Sequence, residues 1–412
     1  MPAAPLKIAH VVRRFVFEEW GGTETVVWNT VFNQSKLGMM PEIFATSALS
    51  HPGDEIRDDI PIHRFPYWYP YFPMPEKSAE LLDKKGGNPF VPKLFQAIRQ
   101  AQFDIIHIHC GGRMAVMSAL LAHQMNIPCV ISLHGGHADV PKEELRQMME
   151  PVRHKFHYGG IIDRLRNLRR DPVAESDGVI CISHTEELLI CSRYPGIRIV
   201  YLPNGVNCED FRDKPDSVSP RREWGIPPER RLVLCISRID YQKNQLLLLN
   251  LLSHDPQAHL LLIGPVTAPW YYAKIQERAK ELHVEDRLTV VPGLPPGDIR
   301  LKAILHEADM FVLPSIHEPF GIVALEAWSA GIPLIASRTG GLKDFIKDDR
   351  NGLLFDLNDP ETLFTAYDRM VREKGLAERL TAQASEDVLA YSWKNLTERL
   401  LELYRELIDE RA

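Results

Sequence analysis

Short apolar runs rich in β-branched residues alternate with helix-like stretches along nearly the whole chain, and no other feature limits the fold as much. Strands buried on both faces read as unbroken apolar runs, and parallel neighbours need a crossover helix between them. The pattern therefore predicts an α/β chain of doubly wound parallel sheets. Expected strands in the first half lie at 7–12, 42–46, 105–109, 129–134, 179–183 and 198–202. The alternation restarts at 232–237, 259–263, 288–291, 310–313 and 333–336. Residues 203–231 between the two sets are rich in Pro, Asp and Arg, lack periodicity and read as a linker. The expected organisation is a Rossmann-like domain at 1–208, a second at 209–390 and a terminal helix at 391–412. Leu396, Leu400, Leu403, Tyr404 and Leu407 share one face of that helix.

Composition excludes several alternatives. A chain of 412 residues is long enough for two such domains, at roughly 100 to 200 residues each. Forty-eight basic against 55 acidic residues leave a net charge of -7, which argues against nucleic acid as partner. The apolar runs, such as 246–249 and 260–263, fall far short of the roughly 20 residues that span a bilayer. Residues 1–10 lack the apolar segment of a secretory signal, so the expected location is the cytoplasm. None of the six cysteines forms a CxxC pair and several sit in strand-like runs, as small core residues rather than disulfides or zinc ligands.

Open α/β sheets bind ligands at the carboxyl ends of their strands, so two such domains facing each other are expected to enclose a cleft. Three segments follow strands. Gly21-Gly22 opens a helix, where paired glycines let backbone N–H groups approach an anion; a plain tight turn is the competing reading. Arg238 and Lys243 are two cations with only Asp240 nearby, which suits a diphosphate, against a solvated surface pair. In the run Glu318-Pro319-Phe320-Gly321-Ile322-Val323-Ala324-Leu325-Glu326, the residue before proline is biased out of helix and a helix begins near Gly321. Glu326 then lies in an apolar helical stretch, where a carboxylate needs donors such as sugar hydroxyls or a core salt bridge.

The run from Glu318 to Glu326 resembles the Glu-x7-Glu motif of the retaining, family-four glycosyltransferases of GT-B fold. The Gly-Gly loop and the Arg238/Lys243 pair occur in the order that family shows, and the likeness extends over nearly the full chain. Cys129 to Gly135 is similar to the strand ending in the family's active-site histidine, here His134. Thr339-Gly340-Gly341 resembles its second Gly-Gly turn, and Ser392-Trp393 the start of its terminal helix, which returns to the first domain.

The resemblance implies that Arg238 and Lys243 hold the diphosphate of a nucleotide-sugar, with the backbone at Gly22 and at Phe320, Gly321 and Ile322 assisting. Glu326 would accept from ribose hydroxyls and Glu318 from the donor sugar. The base would lie by Gly293 and Leu294, and His134 would bond the donor sugar. Catalytic roles then fall to His134, Glu318, Arg238 and Lys243. Two departures stand out: Ser237 where glycine is frequent, and Asp344 where glutamate is common. The expected reaction moves a sugar, from a UDP-sugar by preference, to a saccharide or lipid-linked saccharide acceptor, with no cofactor. Fixed cations would stabilise the departing phosphate, so no metal is required. A GT-B phosphorylase, a nucleotide-sugar epimerase and a non-enzymatic sugar-binding protein are the alternatives.

Two further features invite a reading. His107 and His109 alternate along one strand and share a face; a metal site there needs a third ligand, and a core or cleft-lining role is the favoured reading. Residues 153–170 hold six Lys or Arg against the single acid Asp163, with aromatic and aliphatic residues interleaved. That stretch is either a solvated face or a peripheral contact with anionic membrane.

Overall fold

The computed structural model describes residues 5–19, 21–135, 150–295 and 297–411. The chain divides into two compact units, Met1–Pro203 with Trp393–Ala412, and Asn204–Ser392. In the first, β1 (Lys7–Arg14), β2 (Met40–Thr46), β3 (Gly53–Arg57), β4 (Ile60–Phe65), β6 (Ile105–Ile108), β7 (Cys129–Ser132), β9 (Gly178–Cys181) and β10 (Arg198–Tyr201) form one sheet. Their order is β10-β9-β7-β6-β1-β2-β4-β3, and only β3 runs antiparallel to its neighbour. A separate antiparallel pair joins β5 (Tyr71–Phe72) to β8 (Phe156–His157).

The second unit is a six-stranded parallel sheet of β11 (Arg231–Ile236), β12 (Ala258–Ile263), β13 (Leu288–Val291), β14 (Met310–Leu313), β15 (Leu334–Ser337) and β16 (Leu353–Phe355). Its order is β13-β12-β11-β14-β15-β16. In both sheets the chain reverses its winding beside the first strand, between β1 and β6 and between β11 and β14. That is the point where an open α/β sheet leaves a crevice at its carboxyl edge.

Packing follows from the apolar runs. Both faces of the first sheet are covered. Ala9, Val11, Ile106 and Ile108 pack under the helices Pro92–Ala101 and Gly112–Met125. Ile8, Ile105, Val130 and Ile180 pack against Leu400, Leu403, Tyr404 and Leu407 of the terminal helix Trp393–Asp409. Burial of each such side chain contributes about 2 kcal/mol, so the periodic stripe on that helix is sufficient reason for it to dock.

The eleven strands expected from the alternation all form, and the differences have local causes. β3 and β4 were not expected: Asp58 and Asp59 both take positive φ (48° and 64°), the two-residue hairpin geometry that glycine or asparagine usually signals. β16 has three residues, too few to show a period. Residues 203–231 are not a free linker. They contain the short helices Cys208–Arg212 and Pro220–Glu223, bury Val206 and Ile226, and are tied down by Arg221, whose backbone N–H donates to Glu307 Oε2 (2.8 Å).

Candidate active site

In the second unit, three consecutive strand ends are knitted into one site. Leaving β11, Asp240 accepts from the Gln242 N–H (2.9 Å) and so caps the short 3-10 turn Tyr241–Lys243. The expected acid next to the cations is thus spent on backbone. Gln245, fully buried, donates to Ser237 Oγ (2.9 Å) and to the Arg238 carbonyl (2.7 Å), fixing the backbone from which Arg238 projects. The Arg238 side chain is exposed and has no hydrogen bond or ion pair among the described residues.

Lys243 is not a solvated cation. Its Nζ donates to Glu318 Oε2 at 2.6 Å, and both side chains are largely buried. Ser315 Oγ donates to the same oxygen at 3.2 Å. The Ile316 N–H donates to the Gln242 carbonyl at 2.7 Å, so the loops after β11 and β14 are bonded through backbone as well. An ion pair this buried is intolerant of losing one member, because the survivor is left uncompensated.

The turn after β15 closes the site from the other side. The Gly341 N–H donates to the Glu318 carbonyl at 2.9 Å. A Cβ on Gly340 would lie 1.9 Å from that carbonyl oxygen, and one on Gly341 would lie 2.3 Å from the Pro319 oxygen. The Gly-Gly pair is therefore required for backbone to meet backbone behind Glu318. Gly321, at φ 96°, precedes the helix Ile322–Ser329; its carbonyl accepts from the Ala324 N–H (2.9 Å), while the Ile322 and Val323 N–H groups have no backbone partner among the described residues. The Phe320 ring is buried against Phe345 (centroids 5.0 Å apart), so only its backbone is available to a ligand. Gly293, at φ 105°, lies two residues past the end of β13 and near Pro265, with Leu294 half-buried beside it.

Gly22 and His134 belong to the other unit. Gly22 begins the helix Gly22–Lys36, and the following Thr23 and Glu24 line a pocket of about 420 Å³ with Arg13, Arg14, His109 and Gly111. The pocket occupies the crevice between β1 and β6. Arg14 Nε meets Glu24 Oε1 at 3.2 Å, and Arg13 donates to the Asp83 carbonyl at 2.8 Å. Trp20, beside the Gly-Gly pair, lies outside the described residues. His134 follows β7 at φ 52°, and its Nε2 lies 3.1 Å from His109 Nδ1.

The family of glycosyl transferases group 1 matches residues 219–387, and glycosyltransferase family 4 matches residues 20–210. The chain belongs to the family-four, group 1 glycosyltransferases. An uncharacterized glycosyltransferase of Methanocaldococcus jannaschii is 27% identical over 79% of this chain and 79% of its own length. D-inositol 3-phosphate glycosyltransferase of Acidothermus cellulolyticus is 30% identical over 58% of this chain, which spans 56% of that relative's length. Sucrose-phosphate synthase of Thermosynechococcus elongatus superposes with a TM-score of 0.72 over 98% of this chain and 100% of that one, at 21% identity. Anabaena HepE in complex with UDP-glucose superposes at 0.69 over 97% and 100%, at 17% identity. The fold is GT-B.

Two groups in this glycosyltransferase escaped or exceeded the sequence reading. Periodicity placed His107 and His109 on one face but could not show that His10, in register with His107 on the next strand, joins them. Glu326, on the second turn of the helix Ile322–Ser329, has neither ion pair nor side-chain hydrogen bond among the described residues, so the core salt bridge is not formed. Burial raises its carboxyl to about 7 from the ordinary 4.5, against the smaller opposing effect of the Lys302 charge.

That raised value has a measurable consequence. Between the ordinary carboxyl value and pH 7 the unfolded chain releases a proton that the folded chain keeps, so stability falls with rising pH across that interval and is level above it. One unit is worth about 1.4 kcal/mol, and partial exposure reduces the sum, so the decline is of order 1–2 kcal/mol. Glu326→Gln removes this component, which denaturant titrations of both proteins from pH 5 to pH 8 will register as a shallower slope. Parallel slopes would mean that the carboxyl is not held in its neutral form.

Proposed function

We propose that this chain is a retaining, metal-independent hexosyltransferase. It would move a sugar from a nucleoside diphosphate sugar, by preference a UDP-sugar, to a hydroxyl of a saccharide or lipid-linked saccharide in polysaccharide or glycoconjugate biosynthesis. The observation that carries the reading is the grouping of Arg238, Lys243 and the open helix end after Gly321 with an unpartnered Glu326 one helix turn further on. Departure of a nucleoside diphosphate builds negative charge on phosphate oxygens. Preplaced cations and backbone donors stabilise that charge more in the transition state than in the ground state. Lys243 has three N–H donors and spends one on Glu318, which leaves two for phosphate. Arg238 can fork onto two oxygens, and together the two cations supply the charge a divalent ion would otherwise bring. The preference for UDP draws support from the UDP-glucose held by Anabaena HepE.

Glu326 would be ionised by ribose hydroxyls that donate to it. A carboxyl near 7 in the free protein makes this step proton-coupled: nucleotide binding releases a proton and weakens as pH falls below 7. Retention of configuration fits a site where Glu318 is already tied to Lys243 and Ser315 rather than free to attack.

Turnover of UDP-, GDP- and ADP-sugars, followed as release of free nucleoside diphosphate with and without candidate acceptors, tests the reading. Release from one nucleotide class, stimulated by an acceptor, insensitive to EDTA and giving product of unchanged anomeric configuration, is expected. Failure of every nucleotide-sugar to turn over or to raise the melting temperature would overturn it.

We also propose a cytoplasmic protein that docks peripherally on anionic membrane, where a lipid-linked acceptor would lie. All six cysteines are free, which suits a reducing compartment. Among the described residues no helix is long and apolar enough to cross a membrane. Phe72 and Phe156 pair directly across β5 and β8 at 70% and 65% exposure, and Ile161 and Leu165, one helical turn apart, are 60% and 81% exposed. Asp163, the acid of this stretch, is consumed by buried Arg113 (2.7 Å), while Arg164 and Arg166 face solvent. Apolar side chains ringed by cations match an anionic bilayer surface. Co-sedimentation with phosphatidylglycerol vesicles is expected at low salt, weakened by high salt and by Leu165→Asp. Equal recovery with and without vesicles would dismiss the membrane contact.

A further inference from the structure

We infer that Gln34, His10 and His109 form a hydrogen-bonded chain that sets the tautomer of His134 and leaves its Nδ1 as an acceptor for a hydroxyl of the substrate. The inference rests on the glycosyl-transfer reading for its substrate, though not for the chain itself.

The sheet assembles this chain. His10 of β1 stands in register with His107 of β6, so the two share a face, and His109 lies two residues further along the same face. That face is covered by the helix Gly22–Lys36, which brings Gln34, and by the terminal helix, which brings Tyr404. Gln34 Oε1 lies 2.8 Å from His10 Nε2, His10 Nδ1 lies 2.9 Å from His109 Nε2, and His109 Nδ1 lies 3.1 Å from His134 Nε2. The rings are nearly parallel, with 18° between His10 and His109 and 24° between His109 and His134. Gln34, His10 and His109 are buried.

Burial lowers His10 and His134 to about 4 and His109 well below its ordinary value, so each ring is neutral near pH 7 and carries one N–H. An amide oxygen only accepts, so His10 is protonated at Nε2. Its Nδ1 then accepts, so His109 is protonated at Nε2, and by the same step so is His134. One oxygen on a helix thus orders three rings in sequence. What remains at the end is His134 Nδ1, a buried atom without a partner among the described residues. The positive φ of His134 (52°) and Gly135 (74°) is the tight turn that carries the ring back onto His109.

His107 does not compete, since its two nitrogens meet Ser132 Oγ (2.7 Å) and the Tyr404 hydroxyl. The ligand atoms of His10, His107 and His109 do lie within 4.8 Å of one another. A metal ion needs their lone pairs, and at His10 and His109 those lone pairs already accept protons. An acceptor at His134 welcomes a hydroxyl and repels a carboxylate, so sugars bearing a carboxylate at that position are excluded. His10, His109 and Gln34 are positioning residues, acting through His134.

Long-range proton–nitrogen correlation spectra of the full chain, labelled with 15N at histidine, read the tautomers without substrate. Unprotonated Nδ1 at His10, His109 and His134 is expected. A protonated Nδ1 at His134, an even mixture of tautomers, or stoichiometric retention of added ZnCl₂ with shifts of these rings would overturn the inference, whether or not glycosyl transfer is observed. With the nucleotide-sugar substrate, Gln34→Met is expected to convert His134 to a tautomer mixture and lower kcat about tenfold, with nucleotide affinity unchanged. A variant that keeps wild-type kcat would also overturn it. Should that variant not fold, the wild-type spectra decide alone.

Discussion

Parallel strands end together, and where the winding of a sheet reverses, two adjacent strands send their connections away on opposite faces. The gap so created cannot be filled by the connections themselves, and each sheet here has one: between β1 and β6 in the first unit, and between β11 and β14 in the second. Gly22 and His109 sit beside the first of these edges, and Arg238, Lys243 and Glu318 beside the second. The apolar strands position the edge, while the polar loops carry the reactivity.

In the second unit the gap is bridged rather than left open. Lys243 from one strand end and Glu318 from the next form an ion pair of 2.6 Å, and the Gly340-Gly341 turn presses on the Glu318 backbone from behind. The pair compensates two charges that would be costly to bury singly. In the proposed function it holds a cation where phosphate charge would develop, with two N–H donors of Lys243 still unspent. Glu326 shows the opposite strategy. It is half-buried without a partner among the described residues, and its raised carboxyl marks a position that would gain from hydroxyl donors. In the proposed function, ribose hydroxyls supply the donors that the fold leaves out.

Much of this was legible in the sequence because its causes are local. Apolar runs at strand length specify the two sheets, and the Glu318–Glu326 spacing places both carboxylates around one helix start. What escaped reading depends on an atypical turn or on pairings between distant segments. Asp58-Asp59 makes a hairpin turn without glycine, so β3 and β4 carried no signal. Lys243 and Glu318 are 75 residues apart, and no rule of spacing joins them. His10 becomes the third member of the histidine cluster through strand register, and Gln34 and Tyr404 reach it on helices from opposite ends of the chain.

The central claim is that a nucleoside diphosphate binds at the end of β11, and Arg238 offers its cleanest test. This side chain is exposed and has no partner among the described residues, so Arg238→Ala should leave the melting temperature unchanged. Loss of a forked, charge-assisted contact is worth about 1.5–3 kcal/mol, a weakening of roughly tenfold to a hundredfold. Calorimetric titration of UDP into both proteins is predicted to show that weakening. Equal affinity in the variant and the parent would contradict the placement of the diphosphate and, with it, the account of the site.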